Sequence, residues 1–261
     1  MLVEERRQKL RDLISTYGFA SLQDLARKID VSESTIRRDL EHLHQMGYLR
    51  RTHGGAVWNQ DSAPLPPLED RSGRQLEEKR WIGELASGLI QDGDTVLLDG
   101  GTTTLEVARE ILGSGKRVQV LTNSLPIAHM FASNPGSDLV VLGGYVYPRT
   151  GVALGSSTIR MLEDLHAHVA ILSVGGITDQ GLFNSNLLLV ETERAMMSRA
   201  ERVIVVADHT KVGRRALTWL CELDDIDDLV VDDHLTEESR AMLERAGVRL
   251  HVARPTAGYT T

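Results

Sequence analysis

The stretch Val31–Leu40, V-S-E-S-T-I-R-R-D-L, decides the fold of the N-terminal part of the chain. Ser32 stands where a helix would begin, because its hydroxyl can accept a hydrogen bond from a backbone N–H of the first turn. Ile36, Leu40 and Leu43 follow at the i, i+4, i+7 spacing of one buried helix face. The stretch therefore predicts an amphipathic helix with a polar N-terminal turn.

The polar side of this helix carries small hydroxyls and two arginines, which are groups that contact phosphates and base edges. Apolar residues at helical spacing predict two preceding helices, over Leu10–Tyr17 and Ser21–Ile29, so the segment reads as a helix-turn-helix. Beyond Gly47, two short strands over Tyr48–Thr52 and Ala56–Trp58 would form a wing. The predicted DNA-contacting residues are Ser21, Ser32, Ser34, Thr35, Arg37, Arg38, Arg50, Arg51 and His53.

A solvated helix face is the alternative explanation for the two helical arginines. Arg37 has Glu33 and Glu41 at i, i+4 spacing, where ion pairs form. DNA binding is favoured because two arginine pairs flank the same three-helix unit.

Charge is distributed unevenly along the 261 residues. The formal net charge is −8, which by itself argues against a nucleic-acid partner. Residues 1–58, however, carry ten Lys+Arg against eight Asp+Glu, and the remainder carries 19 against 29. Such asymmetry points to a DNA-binding segment attached to an acidic body with another task.

Composition also sets the compartment and the domain boundary. Cys221 is the single cysteine, and neither a signal-peptide pattern nor a membrane-length apolar run is present. We expect a cytoplasmic protein without membrane association. Three of the seven prolines fall within residues 64–67, which predicts a semi-extended linker. The expected domains are residues 1–58 for DNA binding, 59–75 as linker and 76–261 for effector binding and oligomerisation.

Strand and helix patterns alternate after Leu76, which predicts a largely parallel α/β sheet covered on both faces. Ligands of such sheets bind at the carboxyl ends of the strands. The run D-G-G-T-T-T after the strand Thr95–Leu98 would present backbone N–H groups and hydroxyls to an anion. Small or polar residues also follow later strands. The candidate ligand-binding residues are Asp99, Gly100, Gly101, Thr102, Thr103, Thr104, Thr122, Asn123, Ser124, Gly143, Gly144, Gly175 and Lys211.

Structural roles remain open for these residues. The glycine pair can be a tight turn with a threonine helix cap, Lys211 can be a solvated loop residue, and Gly175 can mark a close backbone approach.

Both segments resemble the DeoR family of bacterial transcription regulators. The N-terminal resemblance covers Arg6–Leu40 and a Y-L-x-R-x-H-G-G-A run from Tyr48. The second covers about Leu76–Asp233 through L-D-G-G-T-T-T, L-T-N-S-L, L-G-G, G-G-I and A-D-H-T-K. It implies a sensor domain similar in fold to ribose-5-phosphate isomerase, with a phosphorylated sugar bound near Gly100–Thr104, Asn123 and Lys211. The chain departs from the family at His168, where members often carry an Asp.

The resulting expectation is a transcriptional regulator, most simply a repressor of a carbohydrate operon, that binds double-stranded operator DNA as a homo-oligomer, dimer or tetramer. The alternatives are a sugar-phosphate isomerase fused to a DNA-binding module and a structural DNA-binding protein without a ligand. The isomerase would need a carboxylate base, but Ser173–Thr178 contains none. No cofactor is expected, and no metal either, because His42/His44 and His166/His168 diverge at i, i+2 spacing on a helix.

Overall fold

The computed structural model describes residues 3–17, 19–45, 49–52, 54–58, 68–134, 136, 138–147 and 150–255. The chain divides into two compact units, Met1–Pro66 and Pro67–Thr261.

The N-terminal unit combines three helices with a small antiparallel sheet. In chain order its elements are α1 (Val3–Tyr17), β1 (Phe19–Ser21), α2 (Leu22–Ile29), α3 (Glu33–Gln45), β2 (Leu49–Thr52) and β3 (Gly55–Trp58). Their order in the sheet is β1-β3-β2. The predicted helices and both wing strands are therefore present, whereas β1 was not predicted because three residues are too few to show an alternating pattern.

One apolar core joins the three helices to the wing. Its buried members are Leu10, Ile14, Leu25, Ile29, Ile36, Leu40, Leu43, Leu49 and Ala56. Asp30 ends α2 in the left-handed conformation, with φ 59°, and its N–H donates to the Ala26 carbonyl. This turn sets the direction in which α3 leaves.

The larger unit contains seven helices and twelve strands among its described residues. The helices are α4 (Leu68–Ser72), α5 (Leu76–Gly88), α6 (Thr102–Gly113), α7 (Leu125–Ala132), α8 (Ser156–Glu163), α9 (Leu187–Met197) and α10 (Glu237–Arg245). The strands are β4 (Thr95–Leu98), β5 (Gln119–Thr122), β6 (Asp138–Val141), β7 (Tyr145–Tyr147), β8 (Val152–Leu154), β9 (Ala167–Ser173), β10 (Gly176–Thr178), β11 (Gly181–Asn184), β12 (Ala200–Ala207), β13 (Thr218–Cys221), β14 (Asp228–Asp232) and β15 (Arg249–Ala253).

Seven of these strands form a parallel sheet in the order β15-β14-β12-β9-β4-β5-β6. The sheet is buried on both faces, because Leu97 packs into one apolar core and its neighbours Val96 and Leu98 pack into another. The predicted parallel α/β architecture is confirmed. Its strand order reverses between β4 and β9, and such a switch point opens a crevice at the carboxyl ends of the strands.

Several local expectations differ from the structure. The predicted 59–75 linker is helical over Leu68–Ser72, where the last residues of the segment join the larger unit; residues 59–67 lie outside the described part. Helix α9 runs over Leu187–Met197, although the sequence pattern alone favours a helix over Glu191–Ala200; the helix ends earlier because Ala200 already pairs with β9. The hairpin β7-β8 and the antiparallel sheet β10-β11-β13 were not predicted. In the part of the chain that is described, no helix is long and apolar enough to cross a membrane.

Candidate functional site

The start of α3 holds the predicted cluster of hydroxyls. The Ser32 hydroxyl accepts from the Thr35 N–H at 3.3 Å and lies 2.9 Å from the hydroxyls of both Ser34 and Thr35. Ser21 has a different local role, since its hydroxyl caps α2 by accepting from the Asp24 N–H at 3.1 Å. The hydroxyls at the start of α3 are thus tied to one another at the surface.

An open cleft of about 480 Å³ lies between α3 and the wing strand β2. Its lining residues are Ser34, Arg37, Arg38, Glu41 and Arg51. Arg51 forms an ion pair with Glu41, so part of its charge is neutralised within the protein. Arg37 and Arg38 are exposed, and among the described residues neither forms an ion pair with a carboxylate. Within the described part of this unit, Arg37 and Arg38 therefore do not form the i, i+4 ion pairs that the alternative explanation requires.

The acidic residue beside the two arginines points into the protein. Asp39 is 2% exposed and accepts from Arg6 Nε at 2.6 Å and Arg7 Nε at 3.1 Å. The bond to Asp39 raises the pKa of Arg6. Its negative charge is thereby compensated by α1, and the exposed side of α3 keeps its cationic character. The Arg50 side chain and all of His53 lie outside the described residues.

A second site lies at the switch point of the parallel sheet. The Asp99 carboxylate, at the end of β4, accepts from the Gly101 N–H at 2.9 Å, the Ser173 N–H at 2.7 Å and the Ser173 hydroxyl at 2.9 Å. It also accepts from the Thr104 hydroxyl. Burial raises the pKa of Asp99 despite these bonds. Asp99 therefore connects the ends of β4 and β9 and fixes the loop, rather than presenting free oxygens to a ligand.

The loop leads directly into the N-terminus of α6, which begins without a side-chain cap at Gly101. A Cβ on Gly100 would lie 2.0 Å from a Val152 methyl, and one on Gly101 would lie 1.8 Å from Ser173 Oγ. Both glycines are thus required by close packing. Residues 102–104 are buried threonines in the first turn, where the backbone N–H groups have no helical acceptor and the helix dipole favours an anion.

Three cationic side chains lie near this edge of the sheet. Lys211 follows β12 and lies 3.6 Å from Asp208, and burial lowers its pKa. Burial also lowers the pKa of Arg71, and the negative charges of Asp99 and Asp208 act in the opposite direction by raising it. Lys79 donates to the carbonyl oxygens of Arg71 and Arg74, at 2.7 and 2.5 Å. Cationic side chains from α4, α5 and the loop after β12 therefore all interact electrostatically with Asp208.

Sequence reasoning missed Arg71 and Lys79. Arg71 was assigned to the linker. Lys79 lies on the same buried helix face as Ile82 and Ala86, at i+3 and i+7 spacing. A lysine in such an apolar pattern could have been recognised from the sequence as a buried charge.

The other predicted residues divide into two groups. The Thr122 hydroxyl donates to the Leu98 carbonyl at 2.8 Å, and Asn123 Nδ2 donates to the Ala153 carbonyl at 2.9 Å. Asn123 Oδ1 is buried without a hydrogen-bond partner among the described residues. Thr122–Ser124 thus border the Asp99 loop, and Ser124 caps α7. By contrast, Gly143 and Gly144 follow the edge strand β6 and contact α8, while the Gly175 N–H donates to the Phe183 carbonyl at 2.9 Å.

A buried carboxyl group beside the switch point was also missed. Glu193 is 1% exposed, and its Oε1 accepts from Asn184 Nδ2 at 2.7 Å. Asn184 in turn donates to the Ser173 carbonyl at 3.2 Å. Burial, together with the negative charge of Asp99, raises the pKa of Glu193 well above its usual range. Val190 and Met196 lie three positions before and after Glu193, on the same face of α9. This apolar spacing could have identified Glu193 from the sequence as a buried acid.

His168 lies elsewhere, near the start of β9. Its Nδ1 accepts from the Thr95 N–H at 2.9 Å. The side chain therefore joins the amino ends of two neighbouring strands, at the opposite end of the sheet from Asp99.

Comparison with known proteins covers both units. Residues 6–62 match the model of the DeoR-like helix-turn-helix domain, and residues 74–233 match that of the DeoR C terminal sensor domain. The HTH-type transcriptional repressor GlcR of Bacillus subtilis is 31% identical over 99% of each chain. The Glycerol-3-phosphate regulon repressor of Haemophilus influenzae is 33% identical over 87% of this chain and 89% of its own. Ribose 5 phosphate isomerase A of Neisseria gonorrhoeae superposes with a TM-score of 0.41 over 55% of each chain, at 16% identity.

The two family models together span most of the sequence, and full-length relatives share about a third of its residues. The chain therefore belongs to the DeoR family and is a DNA-binding transcriptional regulator rather than an enzyme.

Proposed function

We propose that this chain represses a carbohydrate-metabolism operon and that a phosphorylated sugar or sugar-pathway intermediate controls its binding to operator DNA. The effector part rests on two features of this edge of the sheet: the α6 N-terminus has no side-chain cap, and Arg71, Lys79 and Lys211 all interact electrostatically with Asp208. Backbone N–H groups and cations together bind phosphate strongly. Relatives named as repressors of glycerol-3-phosphate and aga operons support the proposal.

In the proposed complex the phosphate accepts from the N–H groups of Thr102 and Thr103 and pairs with Lys211. Asp99 positions the loop, and the free Asn123 Oδ1 is an acceptor for a sugar hydroxyl. In this complex Gly143, Gly144 and Gly175 do not contact the ligand, and their role is to allow close packing of the chain.

The DNA part of the proposal places the start of α3 in the major groove, with Arg37 and Arg38 as the principal contacts and the wing strands β2 and β3 beside it. An arginine that reads a guanine contributes about 1–3 kcal/mol of discrimination, whereas one on a phosphate contributes to binding of all sequences alike.

We further propose that the chain acts as a homo-oligomer, because helix-turn-helix proteins bind paired half-sites as dimers. Large apolar side chains exposed on the sensor unit are available for this contact. They include Leu125, Tyr145, Met161, Leu187, Leu188, Leu217 and Trp219. Light scattering on the purified chain tests the oligomer directly, and a monomer at micromolar concentration would overturn it.

The effector proposal is tested by thermal unfolding against matched pairs of phosphorylated and unphosphorylated sugars, since a ligand of the native state raises stability by mass action. A phosphorylated sugar should raise the midpoint and its unphosphorylated partner should not. Lys211→Ala should remove the shift, while Arg117→Ala should keep it, because Arg117 is 89% exposed and pairs with Asp92 at the other end of the sheet. Equal shifts in both variants would contradict the assignment.

A further inference from the structure

One glutamate and two histidines of the sensor unit lie close together. They come from three different elements and do not belong to the proposed effector contacts. Glu78 lies in α5, His209 begins the short 3-10 helix after β12, and His234 follows β14. Their ligand-capable atoms all lie within 4.8 Å of one another. Neither DNA binding nor the proposed phosphate contacts use these side chains.

The separations suit a small tetrahedral metal ion. Zinc binds imidazole nitrogen and carboxylate oxygen at about 2.0–2.2 Å, so two ligands of a tetrahedral site lie roughly 3.3–3.6 Å apart. His234 Nδ1 is 3.4 Å from Glu78 Oε1. The three side chains range from 18% to 51% exposed, so small rotations can bring His209 to the same distance.

A buried carboxylate orients both histidines. Asp232 is wholly buried and accepts from the backbone N–H of His209 at 2.7 Å and from the backbone N–H of His234 at 3.1 Å, and His234 Nδ1 lies 3.4 Å from its Oδ1. His209 Nδ1 lies 2.8 Å from Asp232 Oδ1. Metal-ligating histidines characteristically donate their second ring N–H to such a carboxylate, which fixes the tautomer and raises the basicity of the other nitrogen. In a metal site of this kind, the contact with Asp232 would leave His209 Nε2 to bind the ion.

The two histidine rings are in contact with each other. Their centroids are 5.3 Å apart in an edge arrangement.

We propose that Glu78, His209 and His234 bind one divalent transition-metal ion, with zinc as the best fit, and that Asp232 positions the two histidines. Three protein ligands leave the fourth position of a tetrahedral ion to water or to an anion. This position lies at the carboxyl ends of β12 and β14, and His209 is adjacent in sequence to Asp208. The proposal does not rest on the identity of the effector or on DNA binding.

The chain contains a matched control at the other end of the sheet. His166 Nε2 lies 2.9 Å from Glu201 Oε1, and the His166 and His168 rings are 6.3 Å apart. The types of side chain are the same, but His168 Nδ1 already accepts from the Thr95 N–H. His166→Ala therefore removes a histidine next to a glutamate without touching the proposed site.

The test uses the full chain after chelator treatment and dialysis, titrated with zinc chloride by calorimetry, with metal content measured by mass spectrometry. We expect one zinc per chain, and His234→Ala and Glu78→Gln should each weaken binding at least tenfold, on the order expected for loss of a ligand or its support. His166→Ala should bind zinc as the wild type does. His234 is half exposed, so its replacement leaves the fold intact, which circular dichroism will verify. Absence of stoichiometric zinc, or zinc binding that survives both site variants, would overturn the proposal.

Discussion

Asp39→Ala should destabilise the N-terminal unit selectively. The buried carboxylate accepts from Arg6 and Arg7 at 2.6 and 3.1 Å, and each such charge-assisted bond contributes about 1.5–3 kcal/mol. The side chains of Arg6 and Arg7 are 15% and 21% exposed. In the Asp39→Ala variant, water can therefore hydrate the two guanidinium groups and offset part of the lost bonding free energy. The expected net loss is about 3 kcal/mol.

That loss is large for a unit of this size. About 0.05–0.15 kcal/mol per residue gives the unit Met1–Pro66 roughly 3–10 kcal/mol in total. Its melting temperature should fall by about 12–24 °C, while the transition of the larger unit should stay in place. Operator affinity should fall at temperatures where the N-terminal unit begins to unfold.

Scanning calorimetry of the full chain measures both transitions. Glu33→Ala is the matched control, because it removes an exposed carboxylate from the same helix and should change stability by less than about 0.5 kcal/mol. If Asp39→Ala melted like Glu33→Ala, the anchoring of α3 by Asp39 would be wrong. If both transitions moved together, the two units would not unfold independently.

Three further predictions concern the DNA surface, the buried acid and the glycine loop. Arg38→Ala should weaken operator binding and Arg80→Ala, an exposed arginine of the other unit, should not; equal affinity of both variants in a gel-shift titration would refute the α3 surface. Glu193 has a raised folded-state pKa, so the folded chain holds the proton more tightly, and stability is lost as pH rises from the ordinary pKa through the folded one. Glu193→Gln should flatten this loss, so the variant gains stability relative to the wild type as pH rises above the ordinary pKa of glutamate; parallel urea-denaturation profiles for the two proteins would contradict the assignment. Gly101→Ala should cost about 1–3 kcal/mol by collision with Ser173, whereas Gly113→Ala, which meets no atom within 4 Å, should be neutral or stabilising in the same assay.

Local patterns in the sequence were sufficient for the main architecture. Ser32, Ile36 and Leu40 predicted α3, because a cap and an apolar stripe are properties of consecutive residues. Thr95–Leu98 was predicted as a strand with the bounds that the structure has. The strand-end rule then located Gly100–Thr104 beside the switch point.

Contacts between distant residues could not be predicted in this way. Ser173 donates to Asp99 across 74 positions of sequence, and only the pairing of β4 with β9 brings the two together. The same holds for His209 and Asp232, which are joined through β12 and β14. The sheet β10-β11-β13 was missed because its strands are three or four residues long and one pairing contains a register shift.

The effector site and the DNA surface are coupled only if binding of the effector changes the affinity for operator DNA. The full chain is first used to select its operator from a random DNA pool. Operator affinity is then measured with and without the phosphorylated sugar that gives the largest thermal shift, for wild type and for Lys211→Ala. A ligand shifts DNA binding only if it favours one state of the protein over the other. We expect the sugar phosphate to change wild-type affinity about fivefold or more, and we expect Lys211→Ala to bind DNA normally but no longer to respond. An unchanged wild-type affinity at saturating ligand, or a full response in Lys211→Ala, would contradict this expectation.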